Sequence, residues 1–452
     1  MCGDCMEEKS WSKSSWRSYH ASQQPAWPDV QVYKDVVEEL SQLPALVFAG
    51  ETRALKQQLA DVVAGKAFVL QCGDCSEDFN RCHGPRIHDL VKVILQMSII
   101  LAYAGEKQVV NIGRISGQYA KPRSSEVEVV NGMRIPSYRG DMVNSSIGTL
   151  EGRTPDPRRM IEGYFRSVAT LNLVRAFTHG GYAALEHVQA WHRDFCDTFP
   201  ASHKYEELVS GIRKAISFMT AMGLDSNVPQ LKQATLYTSH EALLLDYEEA
   251  MTRIDTTTGY WYDTSAHMLW IGNRTRQPEG AHIEFCRGIC NPLGIKIGPV
   301  FQIDDIKSII NKLNPYNKPG RLTFITRFGA NNIEMQLPFL IKEIKREGYE
   351  IVWICDPMHG NTYLTGLSRK TRKFEDILKE MKIFCQVHQA EGTIAGGVHL
   401  ELTGENVTEC IGGSRKLNDD DLQKNYQTNC DPRLNAEQAV EFAFEIAELL
   451  RP

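Results

Sequence analysis

No run of about 18 apolar residues occurs in this 452-residue chain, so no membrane-crossing helix is expected. The first residues, Met1-Cys2-Gly3-Asp4-Cys5-Met6-Glu7-Glu8, carry neither the basic flank nor the apolar stretch of a secretory signal. Their acidic side chains also disfavour an organelle transit peptide, and a cytoplasmic location is expected. A basic excess is missing as well. The chain has 50 Lys and Arg against 56 Asp and Glu, a net charge of −6, which argues against nucleic acid or an anionic membrane as partner. No Gly-x-Gly-x-x-Gly opens a helix and no Walker Gly-Lys-Ser/Thr is present, so dinucleotide and ATP sites lack support. No repeat of fixed period is visible. Twelve cysteines without a secretion signal read as reduced thiols, not as a disulfide framework. The tetrapeptide Cys-Gly-Asp-Cys occurs twice, at Cys2 to Cys5 and at Cys72 to Cys75. Neither copy is followed by the second pair that a structural zinc site needs at close spacing.

What is present is apolar content of 42% with 23% charged residues, enough for a large core. From residue 67 short apolar runs alternate with amphipathic stretches. The candidate strands are Ala67–Gln71, Val109–Arg114, Ala234–Tyr237, His267–Ile271, Gly294–Ile297, Arg321–Ile325, Ile351–Ile354 and Gly397–Leu402. Successive apolar residues within each fit strands buried on both faces. Helical patterns lie between them at Val91–Tyr103, Ala242–Met251, Asp304–Leu313, Glu334–Arg346, Phe374–Ala390 and Ala436–Leu450. Eight strands alternating with helices predict an α/β fold, a (β/α)8 TIM barrel, with a doubly wound open sheet as the alternative because periodicity does not show closure.

Two decorations stand out. Residues 1–66 form an N-terminal extension, an arm of weak intrinsic order followed by short helices, before a catalytic barrel spanning 67–452. Between the second and third strands lie a loop (Tyr119–Thr154) and helical patterns at Arg158–Thr178, Gly181–Phe195 and Tyr205–Met222. This is more chain than one barrel helix needs, so an inserted helical pair is expected within 155–230. Trp11, Trp16 and Trp27 read as packing anchors for the arm.

Barrel enzymes place their chemistry at the C-terminal ends of the strands. Ionisable residues recur there: Cys75, Arg114, His240 with Glu241, Asn273-Arg274, Lys296, Arg327, Asp356 with His359, and Glu401. Arg114, Lys121, Arg123, Arg274, Lys296 and Arg327 concentrate six cations in an acidic chain, which suits two anionic ligands or one with several anionic groups. Cys75, His359, Glu401 and Asp431 come from distant segments and suggest a mixed sulfur, nitrogen and oxygen site for a divalent Mn, Co, Fe or Zn ion.

Longer segments carry a resemblance. They include Phe-Val-Leu-Gln-Cys-Gly-Asp-Cys75, Gly-Arg114-Ile-Ser-Gly-Gln-Tyr-Ala-Lys121-Pro-Arg123-Ser124, Thr-Ser-His-Glu241-Ala-Leu, Gly-Asn-Arg274-Thr-Arg-Gln, Cys-Asp-Pro-Met-His359-Gly-Asn-Thr and Cys430-Asp431-Pro-Arg-Leu-Asn. In this order they resemble the type II 3-deoxy-D-arabino-heptulosonate 7-phosphate (DAHP) synthases over nearly the whole chain. The resemblance implies a (β/α)8 transferase that condenses phosphoenolpyruvate with D-erythrose 4-phosphate and releases phosphate, the entry to the shikimate pathway. It implies metal ligation by Cys75, His359, Glu401 and Asp431, with Mn or Co foremost. Arg274, Lys296 and Arg327, with Asn273, would grip the phosphate of phosphoenolpyruvate, and Arg114 and Lys121 its carboxylate. Lys121, Arg123 and Ser124 would meet erythrose 4-phosphate. Lys121 would also donate a proton, and Glu241 would act at the reacting carbons. The resemblance further implies feedback inhibition by aromatic amino acids through the arm and the inserted helices, and a homodimer or homotetramer.

One position departs from the pattern, since Asn273 stands where such enzymes more usually carry Glu. A secondary-metabolism variant using a modified aldehyde phosphate and a non-catalytic sugar-phosphate sensor are the alternatives. Cys430 next to Asp431 brings a second thiol toward Cys75, within possible disulfide range.

Overall fold

A computed structural model describes residues 11–130, 132–180, 182–183, 202–222, 233–366 and 369–450. Eight parallel strands close in chain order into a barrel. They are β1 (Ala67–Gly73), β2 (Gln108–Arg114), β3 (Leu236–Glu241), β4 (Met268–Ile271), β5 (Leu293–Ile297), β6 (Leu322–Thr326), β7 (Ile351–Cys355) and β8 (Gly397–Glu401). β1 pairs with β8 from Val69↔Gly397 to Gly73↔Glu401, and this rung series closes the sheet. The barrel is formed and the open sheet is excluded.

Among the described residues the longer helices are α1 (Val30–Gln42), α2 (Ala49–Val63), α3 (Gly84–Gly105), α4 (Arg158–His179), α5 (Ser202–Ala221), α6 (Leu245–Met251), α7 (Ala281–Arg287), α8 (Ile303–Leu313), α9 (Ile333–Arg346), α10 (Phe374–Glu391) and α11 (Ala436–Ala447). α4 and α5 follow the inserted patterns read from the sequence. The pattern between them, Gly181–Phe195, lies outside the described residues apart from Tyr182 and Ala183. The expected loop 119–154 contains a hairpin, Val127–Val130 against Met133–Pro136. α7 is too short to show a helical period and went unread.

Strand side chains alternate across the wall. In β1, Phe68, Leu70 and Cys72 join the shell under the helices, whereas Ala67 and Val69 face inward. The interior layer continues with Val110, Ile112, Tyr237, Met268, Trp270, Ile325, Val352 and Ile354. Leu55, Leu59 and Val62 of α2 complete that same cluster, each fully buried. Burying one such side chain contributes about 1.5–3 kcal/mol, so α2 seals the N-terminal end of the barrel. The sequence places it in an extension, and its apolar face finds the barrel floor.

The arm is not loose from residue 11 onward. The Trp11 indole donates to the Glu284 carbonyl (3.0 Å) and the Trp16 indole to the Glu249 carboxylate (2.7 Å). These anchors fix the arm against α6 and α7. Helix α3 has a stretch of mean hydropathy 1.5 and is, by length and composition alone, able to cross a membrane. The sequence reading does not anticipate this. Its Leu90, Val91, Ile94 and Met97 are buried in the core shell, as a barrel crossover helix requires.

Candidate active site

The inward parity that builds the apolar interior continues upward along each strand. Ala67 and Val69 are followed by Gln71, Val110 and Ile112 by Arg114, and Tyr237 by Ser239 and Glu241. Ile354 is followed by Asp356, and Gly397 by His399 and Glu401. Polar side chains therefore collect at the C-terminal mouth. β3 runs to Glu241 instead of stopping at Tyr237 because its polar end is satisfied there: Ser239 donates to the Gly113 carbonyl (3.1 Å) and Thr238 bonds His267 (3.0 Å). Gly73 is level with both Arg114 and Glu401. That rung puts the Arg114 guanidinium 3.0 Å from the Glu401 carboxylate.

Cys75, Glu401 and Asp431 offer ligand atoms within 4.8 Å of one another. His359 lies beside this trio and outside that mutual spacing, its Nε2 3.1 Å from Glu401 Oε1. His359 Nδ1 faces Asp356 Oδ2 at 2.7 Å, a carboxylate contact that fixes the ring and leaves Nε2 as the donor atom. One sulfur, one imidazole and two carboxylates fit a borderline divalent ion. The occupant of the cluster supports this fit. The Lys121 ammonium sits 2.7 Å from Cys75 Sγ, 3.1 Å from Asp431 and 3.6 Å from Glu401, where these donors draw a positive charge.

The electrostatics run the same way. Burial opposes the charge of Lys121, but Cys75, Asp431 and Glu401 outweigh it and hold the ammonium well above its ordinary range. Burial likewise opposes ionisation of Glu401, and His359, Lys121, Arg372 and Arg114 overcome it, keeping the carboxyl well below its ordinary value. The Cys75 thiol is pushed up by burial, by a hydrogen bond with Cys430 and by the carboxylates. Among these neighbours only a cation favours its thiolate. The Cys75 and Cys430 thiols are thus direct neighbours, and both are free.

Above the cluster opens a cavity of about 290 Å³. Arg114, Lys121, Arg123, Ser124, Glu241, Asn273, Arg274, Lys296, Arg327, His359 and Asp431 line it, while Cys75 and Glu401 lie buried at its floor. The residues named as metal ligands or substrate contacts therefore meet at one mouth, but in different states, whereas His240 turns to Glu248 of α6 (2.9 Å). Arg114 also donates to the Asp74 carbonyl (2.9 Å) and the Cys75 carbonyl (3.1 Å). Arg123 is paired with Glu128 of the hairpin (2.9 Å). Lys296 is bonded to Asp356. Its pKa is lowered to about 8 by burial and by Arg114, against the pull of Asp356. Arg327 donates to the His359 carbonyl (3.0 Å), and its Nε is buried without a partner. Among the described residues no carboxylate pairs with Arg274.

Glu241 lines the cavity among these cations without forming an ion pair with any of them. Burial raises its pKa, against Lys121, Lys296, Arg114 and Arg274, and its Oε1 has no hydrogen-bond partner. Asn273 turns inward to its neighbours: its Oδ1 accepts from the Gly298 N–H (3.0 Å) and from Arg276 (3.1 Å), tying the loops after β4 and β5 together.

Several side chains at the mouth were not singled out from the sequence. Gln118 accepts the Glu241 N–H (2.9 Å). Trp270 lies under Arg114, 5.1 Å from ring centroid to guanidinium carbon. Arg372 bonds Glu401 (2.7 Å) and Lys370 bonds Asp431 (2.8 Å). Gln118 stands inside the motif around Lys121 and Trp270 at an inward position of β4, so parity could have found both. Lys370 and Arg372 come from the long loop after β7, where sequence carries no strand-end signal.

The profile of the Class-II DAHP synthetase family matches residues 11–447. A phospho-2-dehydro-3-deoxyheptonate aldolase of Streptomyces coelicolor is 48% identical over 438 residues, covering 97% of this chain and 97% of its own. The phospho-2-dehydro-3-deoxyheptonate aldolase AroG of Mycolicibacterium smegmatis is 45% identical over 437 residues, covering 95% of this chain and 93% of its own.

Proposed function

The chain belongs to the class-II DAHP synthetase family, and on that premise we propose that it condenses phosphoenolpyruvate with D-erythrose 4-phosphate, giving DAHP and inorganic phosphate with the help of one divalent metal ion. It is an enzyme, a transferase of that family. The observation that carries the substrate reading is the cavity itself, in which cations from β2, β4, β5 and β6 face a cation-seeking cluster across one mouth.

Each residue then has work to do. Arg274, Lys296 and Arg327 hold the phosphate of phosphoenolpyruvate, with Asn273 steadying the loop that carries Arg274. Arg114 and Lys121 meet its carboxylate. Arg123 and Ser124, on the opposite rim, take the phosphate of erythrose 4-phosphate. Bringing two anions together in one cavity costs Coulomb energy, and these cations offset it while fixing the reacting carbons. When bound by Cys75, His359, Glu401 and Asp431, a divalent ion, Mn or Co before Fe or Zn, supplies Lewis acidity to the aldehyde oxygen. C3 of phosphoenolpyruvate attacks the aldehyde carbon, and the Lys121 ammonium gives its proton to the developing alkoxide. Water, held by the Glu241 carboxyl, adds at C2; of its two protons one restores the Lys121 ammonium and the other leaves with phosphate as the C–O bond breaks and the C2 ketone forms.

The expected result is phosphate release that requires both substrates and stops on chelation. No turnover with added Mn or Co would overturn the reading. The anchored arm and the helices α4 and α5 support a second proposal, feedback inhibition by one or more of Phe, Tyr and Trp in a homodimer or homotetramer. A flat dose response to every combination of the three would remove it.

A further inference from the structure

Glu380 takes part in none of these steps, yet it is fully buried on α10, beneath the mouth. Its Oε1 accepts two successive backbone N–H groups of the loop after β6, Phe328 (3.0 Å) and Gly329 (2.8 Å). Its Oε2 accepts from the side-chain amide of Asn361 (2.7 Å), in the loop after β7. Asn361 in turn donates to the Pro357 carbonyl (2.8 Å) and accepts the Ala330 N–H (2.9 Å). One carboxylate of the outer helix ring thus ties two mouth loops to each other. The loops touch closely: a Cβ on Gly329, whose φ is +84°, would lie 2.7 Å from the Gly360 carbonyl oxygen.

Among the described residues no lysine or arginine forms an ion pair with Glu380. Burying a carboxyl without a cation is costly, and burial pushes the Glu380 pKa up to about 8 against the pull of its three N–H donors. An apolar residue would close the core at lower cost, so the pattern makes sense as a means of ordering the loops. What they carry is specific. Arg327 immediately precedes Phe328, and His359 immediately precedes Gly360. The Arg327 guanidinium already reaches the His359 carbonyl (3.0 Å).

We propose that Glu380 is a positioning residue that sets Arg327 and His359 relative to each other, and so couples the phosphoenolpyruvate grip to the metal ligand. This rests on the substrate reading given above. It assigns no part to Glu380 on the erythrose 4-phosphate rim, because Lys121, Arg123 and Ser124 sit on the loop after β2, which Glu380 does not touch.

The test uses the full-length protein with Glu380→Gln, which keeps the size of the side chain but cannot accept from all three donors. Phosphoenolpyruvate affinity is read from tryptophan fluorescence, since Trp270 lines the cavity, and from KM. The expected result is at least about a tenfold weakening for phosphoenolpyruvate, with KM for erythrose 4-phosphate changed less than about twofold. A purely structural role would lower the active fraction and leave both constants alone. Unchanged phosphoenolpyruvate affinity, or an equal rise in both constants, would overturn the proposal. If Glu380→Gln does not fold, Asn361→Ala decides, with a smaller rise confined to phosphoenolpyruvate expected.

Hydrogen exchange at Phe328, Gly329 and Ala330 keeps the inference separate from the substrate reading. Failure of the unaltered enzyme to bind phosphoenolpyruvate sinks that reading, whereas unchanged protection of these amides in the variant sinks the role of Glu380.

Discussion

The two halves of the mouth treat charge differently. On the side of β1, β2, β7 and β8 the charged groups of the cluster are answered among the described residues. Arg114 and Arg372 hold Glu401 (3.0 and 2.7 Å), Lys370 and Lys121 hold Asp431 (2.8 and 3.1 Å), and Asp356 holds His359 (2.7 Å). On the side of β4 to β6, Arg274 has no carboxylate among the described residues, and Arg327 leaves a buried N–H unmatched. The first side is preorganised, with donor atoms locked before any ion arrives. The second holds positive charge in reserve, to be matched by an anion from solution. The held donors receive a metal once the Lys121 ammonium moves off them, and unmatched guanidinium groups bind phosphate without first breaking a protein ion pair.

The sharpest way to break this contrast is Cys75→Ala. It removes the sulfur donor while leaving the cation arc intact. Turnover should fall about 10³-fold, the equivalent of several kcal/mol of charge stabilisation, and metal content by elemental analysis should fall with it. Phosphoenolpyruvate binding should persist. Loss of both together would mean that the halves do not work separately.

A middle-sized effect comes from Lys296, the cation of the second side that bonds Asp356. Lys296 loses its proton at about pH 8 because burial and Arg114 depress it. The ammonium form binds phosphate, so KM for phosphoenolpyruvate should be flat below that pH. It should rise by roughly tenfold by pH 10, the value of one charge-assisted hydrogen bond. A flat profile through pH 10 would place Lys296 outside the grip.

The smallest expected effect is at Asn273. Exchanging Asn273 for Glu adds a negative charge beside Arg274 and Arg276, and KM for phosphoenolpyruvate should rise about threefold, as an incompletely buried charge allows. Unchanged kinetics would show that the residue only ties the Gly298 loop and does not tune the site.

Much of this was legible in the chain. The buried runs Ala67–Gln71, Ile351–Ile354 and Gly397–Leu402 reported strands because a two-sided apolar environment leaves a continuous signature. The ends of those runs reported the mouth. Less legible were elements whose sequence is polar for tertiary reasons. β3 extends through Thr238 and Ser239, whose hydroxyls are bonded to His267 and Gly113, to Glu241; the hairpin 127–136 went unread although Val127-Glu128-Val129 and Met133-Arg134-Ile135 alternate about Asn131-Gly132. The arm looked unstructured, since Trp11 and Trp16 are anchored by residues far along the chain, among them Glu284, Trp261 and Glu249. α3 looked like no membrane helix in sequence, yet it meets that length and composition; its packing in the barrel shell explains why it is so apolar.

The sequence by itself determined the alternation of strand and helix, the inward parity, and the residue types at the strand ends, because these are local properties of neighbouring side chains. Only the tertiary structure decided that the sheet closes, that α2 plugs its floor, which cations are neutralised and which are left for a ligand, and that Glu380 lies beneath Arg327 and His359. Those outcomes depend on contacts between residues hundreds of positions apart, and pairing of charge is decided by distance in space, which spacing along a chain does not encode.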